Sequence, residues 1–129
     1  MSSAVEITKS DTFTLKETHW KLIELKGQSI VNPVPYESEA YIVLNANDST
    51  LNGSGGCNSI FGTYELKENN LISFSHIGMT KMACTGGMII ETELVEALRQ
   101  TNFYLLEDKT LILYKAVKVP LAKFEAKKD

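Results

Sequence analysis

The chain has 129 residues, a formal charge of −3, 43% hydrophobic and 22% charged residues. That is the profile of one globular domain around one core, too apolar for a disordered chain. No stretch approaches the roughly 20 apolar residues of a spanning helix, and Met1 to Glu6 lacks the basic start and apolar block of a secretion leader. With Arg99 as the only arginine and the late lysines (Lys115, Lys118, Lys123, Lys127, Lys128) scattered, no nucleic-acid partner is expected, because phosphate neutralisation needs clustered cations.

Residues 1–17 read as a flexible lead-in, 18–125 as the folded domain and 126–129 as a charged tail. The first strand spans Trp20 to Leu25 and stops at Gly27. The prolines of Asn32-Pro33 and Val34-Pro35 mark a loop. Glu39 to Asn45 predicts the next strand, closed by the turn signal Asn47-Asp48-Ser49. A glycine-rich stretch from Gly53 to Gly56 leads through Cys57 to a strand from Phe61 to Lys67. After the turn Glu68-Asn69-Asn70, Leu71 to His76 alternates, with Ile72, Phe74 and His76 sharing one face.

The single convincing helix lies between Met88 and Thr101. Ile90, Leu94, Ala97 and Leu98 fall at i, i+4, i+7 and i+8, one apolar stripe. Glutamates gather near its start and Arg99 near its end, as the helix dipole favours. Phe103 to Leu106 and Thr110 to Lys115 form a hairpin about Glu107-Asp108-Lys109. The last strand, Val119 to Phe124, contains Pro120 and is expected at an edge. One helix cannot supply a core alone, so the economical architecture is α+β and mainly antiparallel. A curved sheet or incomplete barrel packs on the helix, with Trp20, Phe61, Phe74 and Leu113 facing inward.

Two stretches stand out: Gly53-Ser54-Gly55-Gly56-Cys57-Asn58-Ser59-Ile60-Phe61-Gly62-Thr63-Tyr64 and Thr80-Lys81-Met82-Ala83-Cys84. A phosphate-binding loop would continue into a helix with a Gly-Lys-Ser/Thr ending, and this one does not. The glycines instead suit positive φ and close backbone contact in a bulged turn, with the Asn58 amide bonding nearby backbone. Gly56-Cys57-Asn58, Gly62-Thr63-Tyr64 and Thr80-Lys81-Met82-Ala83-Cys84, with Trp20 ahead and a helix behind, resemble in order and spacing the META domain (HslJ-like) family of bacterial envelope proteins. The resemblance runs from about Trp20 to Phe124. It implies a heat-shock or stress-related, non-enzymatic protein, periplasmic or tethered to the outer membrane as a lipoprotein after removal of a leader. Trp20, Gly56, Cys57, Asn58, Gly62, Tyr64, Thr80, Met82 and Cys84 would be its structural motif. Similarity to lipid-binding pilot proteins further implies a place for an acyl-type ligand between sheet and helix.

Cys57 and Cys84 leave three readings: one disulfide, two buried thiols, or half of a metal site with His19 and His76. Zinc ligands come in close pairs such as Cys-x-x-Cys, which are absent, so no metal and no cofactor are expected. A disulfide would close a loop of about 27 residues, for roughly 3 kcal/mol in the chain-entropy picture. A thiol–imidazole nucleophile lacks any local catalytic signature, so no enzyme is expected. Glu91 and Glu93 lie two apart and do not face each other; they read as helix-start charges. Met79, Met82, Met88, Ile89 and Ile90 serve as core filler or line an adaptable apolar groove. The expected partner is a hydrophobic ligand or an envelope protein, with the chain a monomer. In the alternative, a structural module without a pocket, edge strands near Tyr41 or Lys123 pair with a partner.

Overall fold

A computed structural model describes residues 14–31, 38–82, 89–116 and 119–127. Its elements in order are β1 (Trp20–Leu25), β2 (Gln28–Ser29), β3 (Ala40–Leu44), β4 (Thr50–Gly55), β5 (Ser59–Lys67), β6 (Leu71–Met79), α1 (Ile89–Gln100), β7 (Phe103–Glu107), β8 (Thr110–Ala116) and β9 (Val119–Ala126). The Asn32–Pro35 loop, Ala83, Cys84, Met88 and the tail beyond Lys127 lie outside the described residues.

All strand pairs are antiparallel, in the order β2-β1-β3-β4-β5-β6-β7-β8-β9, and a further β1–β9 pairing bends the sheet into a ring. The α+β expectation holds. Lys26 and Gly27 both have positive φ, which turns β1 back into β2 over two residues, a geometry matched to strand twist. β4 replaces what looked in the sequence like a glycine-rich turn. It pairs with β3 from Gly55 to Leu51 and with β5 from Ser54 to Thr50.

Two seams of the ring are short. β1 meets β3 through Trp20↔Ile42 and Lys21↔Tyr41, and β6 meets β7 only through Leu71↔Phe103. The long pairings lie elsewhere, β5 with β6 and β8 with β9. α1 packs against β4, β6, β8 and β9, so the helix braces the ring from within its curve. Trp20, Leu22, Ile42, Leu44, Leu94, Leu98, Leu111, Leu113 and Phe124 are fully buried. Each such side chain contributes about 1.5–3 kcal/mol by leaving water. The indole N–H of Trp20 donates to the Leu15 carbonyl (3.0 Å), which gives this large side chain its polar partner in the core. Leu15 itself is buried, so the chain packs from within the stretch read as a lead-in.

Three expectations need correction. Phe61 does not face inward: it is 46% exposed, because Ile60 takes the inward position of the alternating strand. Its ring lies over Gly78, where any Cβ would sit 2.9 Å from the Phe61 Cε1. His76 does not share the face of Ile72 and Phe74. It adopts φ 54° at a bulge between the pairs Phe61↔Gly78 and Thr63↔Ser75. The extra residue turns His76 outward and Ile77 inward. β9 is no edge strand, since it pairs with β8 and with β1. Pro120 is tolerated because it lies before the stretch paired with β1 and next to a register shift against Tyr114. Tyr41 and Lys123 therefore also sit on strands with two neighbours, and the partner-pairing edges expected there are already used.

Candidate functional site

The two stretches singled out in the sequence come together around a carboxylate. Glu91, on the first turn of α1, is only 2% exposed. Its Oε2 accepts hydrogen bonds from the backbone N–H groups of Cys57 (2.9 Å) and Asn58, and its Oε1 accepts one from Asn58 Nδ2 (2.9 Å). Asn58 is itself fully buried. Its Oδ1 accepts from Thr80 Oγ1 (2.9 Å) and from the Met82 N–H (2.6 Å), while Nδ2 also reaches the Met82 carbonyl (3.4 Å). Thr80 completes the node by accepting from the Ser59 N–H (3.0 Å). One asparagine thus ties the β4–β5 turn, the end of β6 and the helix together, and burying these polar groups is tolerable because they satisfy each other.

The glycines have separate tasks. Gly56 supplies a positive φ of 116°, which favours a residue without Cβ. Gly55 supplies room: a Cβ there would lie 2.4 Å from Glu91 Cγ. The glycine is what lets the helix start approach the sheet. Gly62 gives the same clearance to Ile77, behind Tyr64. Tyr64 is buried and donates its hydroxyl proton to the Asn45 carbonyl (2.8 Å). Burial, with smaller contributions from Glu17 and Asp48, raises its phenol above the ordinary value.

Of the sequence-derived motif, Gly56, Cys57, Asn58, Thr80 and Met82 gather here, while Trp20 and Tyr64 belong to the core. Met82 joins through its backbone, and its side chain is 55% exposed. Cys84 lies outside the described residues. Glu91 is the residue that the helix-start reading missed. Its signal was present, since Glu91, Leu94 and Leu98 fall at i, i+3 and i+7 on one stripe.

His19 and His76 do not converge on the node. His19 stacks on Tyr41 (centroids 4.2 Å apart) and its Nε2 lies 2.7 Å from Glu39 Oε2. The Lys127 ammonium donates to the other Glu39 oxygen at 2.9 Å. Partial burial pushes the Glu39 carboxyl up, but the hydrogen bonds and charges of Lys127 and His19 outweigh it and leave it below the ordinary value. His76 is exposed beside Thr63.

Outside the node, between the β5–β6 pair and α1, runs an open groove of about 430 Å³. One wall carries Phe61, Gly78, Met79 and Lys81, and the other the helix face of Thr92, Val95, Glu96 and Arg99. Arg99 donates from Nη2 to the Ile77 carbonyl on β6 (2.9 Å). Met79 and Ile90 pack partly on the core.

The turn, the Thr80 segment and the helix behind them are the parts by which a family is told, and the META domain matches residues 13–128. The chain belongs to the META domain family. Solved structures share its fold. A protein from Burkholderia xenovorans, solved by NMR, superposes with a TM-score of 0.71 at 23% identity, covering 100% of this chain and 97% of its own. A DUF4847 family protein from Bacteroides vulgatus gives 0.60 at 19% identity, covering 89% and 96%. At these identities the likeness establishes the fold of this META domain alone. A comparison with curated proteins finds no match. Among the described residues no helix is long and apolar enough to cross a membrane.

Proposed function

We propose that this META domain is a non-enzymatic binding protein of the bacterial envelope, holding an apolar ligand or partner segment in the groove between β5–β6 and α1. The observation that carries the reading is the half-exposed Phe61, held over Gly78 beside Met79 and Val95. The proposed site for an occupant is this groove, which the exposed Phe61 ring and the Val95 helix face support. Binding is favoured over catalysis because both oxygens of the buried carboxylate, Glu91, are committed to Cys57 and Asn58 donors.

Family membership supports an envelope location and a role under stress, with a lipoprotein or secretion leader on the native precursor. An oxidising compartment would join Cys57 to Cys84, and no free cysteine occurs among the described residues. That bond would reinforce covalently what Asn58 and Glu91 do by hydrogen bonding. A thiol count under denaturing, non-reducing conditions should return zero, and this result would also exclude a thiol enzyme.

Native mass spectrometry of protein extracted gently from its host tests the binding reading. A retained apolar mass, lost in Phe61→Ser while the fold persists, is expected. A bare wild-type mass, with no response of Phe61 or Val95 NMR signals to added envelope extract, would overturn it.

A further inference from the structure

The groove has a feature that an apolar ligand does not use. β6 is paired on one edge by β5 along its length, but on the other edge β7 meets it only at Leu71↔Phe103. Two backbone bonds flank that pair, Ile72 N–H to the Asn102 carbonyl and Tyr104 N–H to the Asn70 carbonyl. The remaining edge, toward Met79, has no strand beside it among the described residues. α1 runs there instead. Thr92, Val95, Glu96 and Arg99, at i, i+3, i+4 and i+7, form the helix face opposite this edge.

Charge supplies the second half of the argument. The acidic residue of the groove, Glu96, is within 3.9 Å of Lys26. Neither Lys81 nor Arg99 has a carboxylate partner among the described residues. Arg99 spends one nitrogen on the Ile77 carbonyl at the strand edge. A guanidinium carries five N–H donors in a fixed fork suited to a carboxylate, so donors remain for an anion.

From the binding reading above, we infer that the occupant is an extended peptide ending in an apolar residue with a free C-terminal carboxylate. Its backbone adds to the β6 edge, its last side chain rests on Phe61, Met79 and Val95, and its carboxylate meets Arg99 and Lys81. Strand addition combined with capture of a chain end is an established way to bind peptides. An acyl chain offers no backbone groups to the edge, so the peptide satisfies more of this surface.

The test uses the full chain immobilised, and a pool of random hexapeptides ending in Leu, Ile or Phe, with free or amidated C-termini. Enrichment of free-acid peptides is expected, with about tenfold weaker retention of amidated ones and a similar loss in Arg99→Gln, tenfold being about 1.4 kcal/mol. Phe61→Ser should weaken both pools. Thermal melting of both variants shows that they fold; if Arg99→Gln does not, Lys81→Gln replaces it. Equal retention of free and amidated pools, or no enrichment, overturns the peptide inference. If peptides fail while an apolar mass is still retained in native mass spectrometry, the groove stands as a binding site and only its peptide occupant is lost.

Discussion

Glu91 and Glu39 are both carboxylates that join elements distant in sequence, yet they work in opposite regimes. Glu91 is sealed between α1 and the β4–β5 turn, meeting N–H donors of which two are backbone and one belongs to a fully buried asparagine. Glu39 lies near the short β1–β3 seam with 21% of its side chain exposed, meeting the tips of His19 and Lys127. Donors in the first case have no water to replace a lost acceptor. Those in the second can turn to solvent. The difference is one of desolvation, and it makes Glu91 the structural keystone and Glu39 a clasp.

The largest test removes the buried acceptor. Glu91→Ala takes the acceptor from the Cys57 and Asn58 N–H groups and leaves the Asn58 amide only its longer contact to the Met82 carbonyl, and should cost about 3 kcal/mol or more in urea unfolding. A cost under about 1 kcal/mol would put the two carboxylates in one class. Glu91→Gln should cost about 2 kcal/mol despite equal size, because one of its two terminal atoms becomes a donor facing donors. Asn58→Asp in that background restores an acceptor opposite the new amide. The double-mutant cycle should show favourable coupling of about 1 kcal/mol, and additivity would count against the assigned geometry.

Gly55→Ala probes the close approach without touching any hydrogen-bonding group. A Cβ at 2.4 Å from Glu91 Cγ must push the helix start from the sheet, for about 1–2 kcal/mol; an unchanged denaturation midpoint would show that the helix has slack.

The smallest effect belongs to Glu39. Glu39→Gln should cost less than about 1 kcal/mol at neutral pH, as exposed ion pairs do. Its carboxyl is held below the ordinary value, so the folded state binds fewer protons than the unfolded one around that value. The stability from Glu39 is therefore present above the unfolded pKa, about 4.3, and is lost as pH falls through the lower folded value. Wild type and Glu39→Gln should differ at pH 6 and converge on acidification below about pH 4, a convergence that urea titrations at several pH values would reveal.

Much of this was readable from residue order. Leu94, Ala97 and Leu98 marked the buried helix face, and Asn58 announced itself as a turn residue bonding to backbone, although its amide also donates to a side chain 33 residues away. Pro120 pointed to an edge, and the sheet closure of β9 on β1 overrode that beyond the first residues of the strand. His76 departs from the pattern because strand parity holds only while pairing is regular, and one inserted residue in β6 reverses it; Phe61 departs because Ile60, one position earlier, takes the inward side of β5.

What the sequence by itself determined is whatever depends on neighbours along the chain: the META domain motifs, the turns, the single amphipathic helix and the mainly antiparallel architecture. Tertiary structure alone decided which donors Glu91, already on the apolar stripe, would meet, that Gly55 leaves room for it, and that Phe61 faces a groove. Those properties depend on which surfaces meet after the ring bends around the helix, and local patterns carry no record of a partner brought close only by folding.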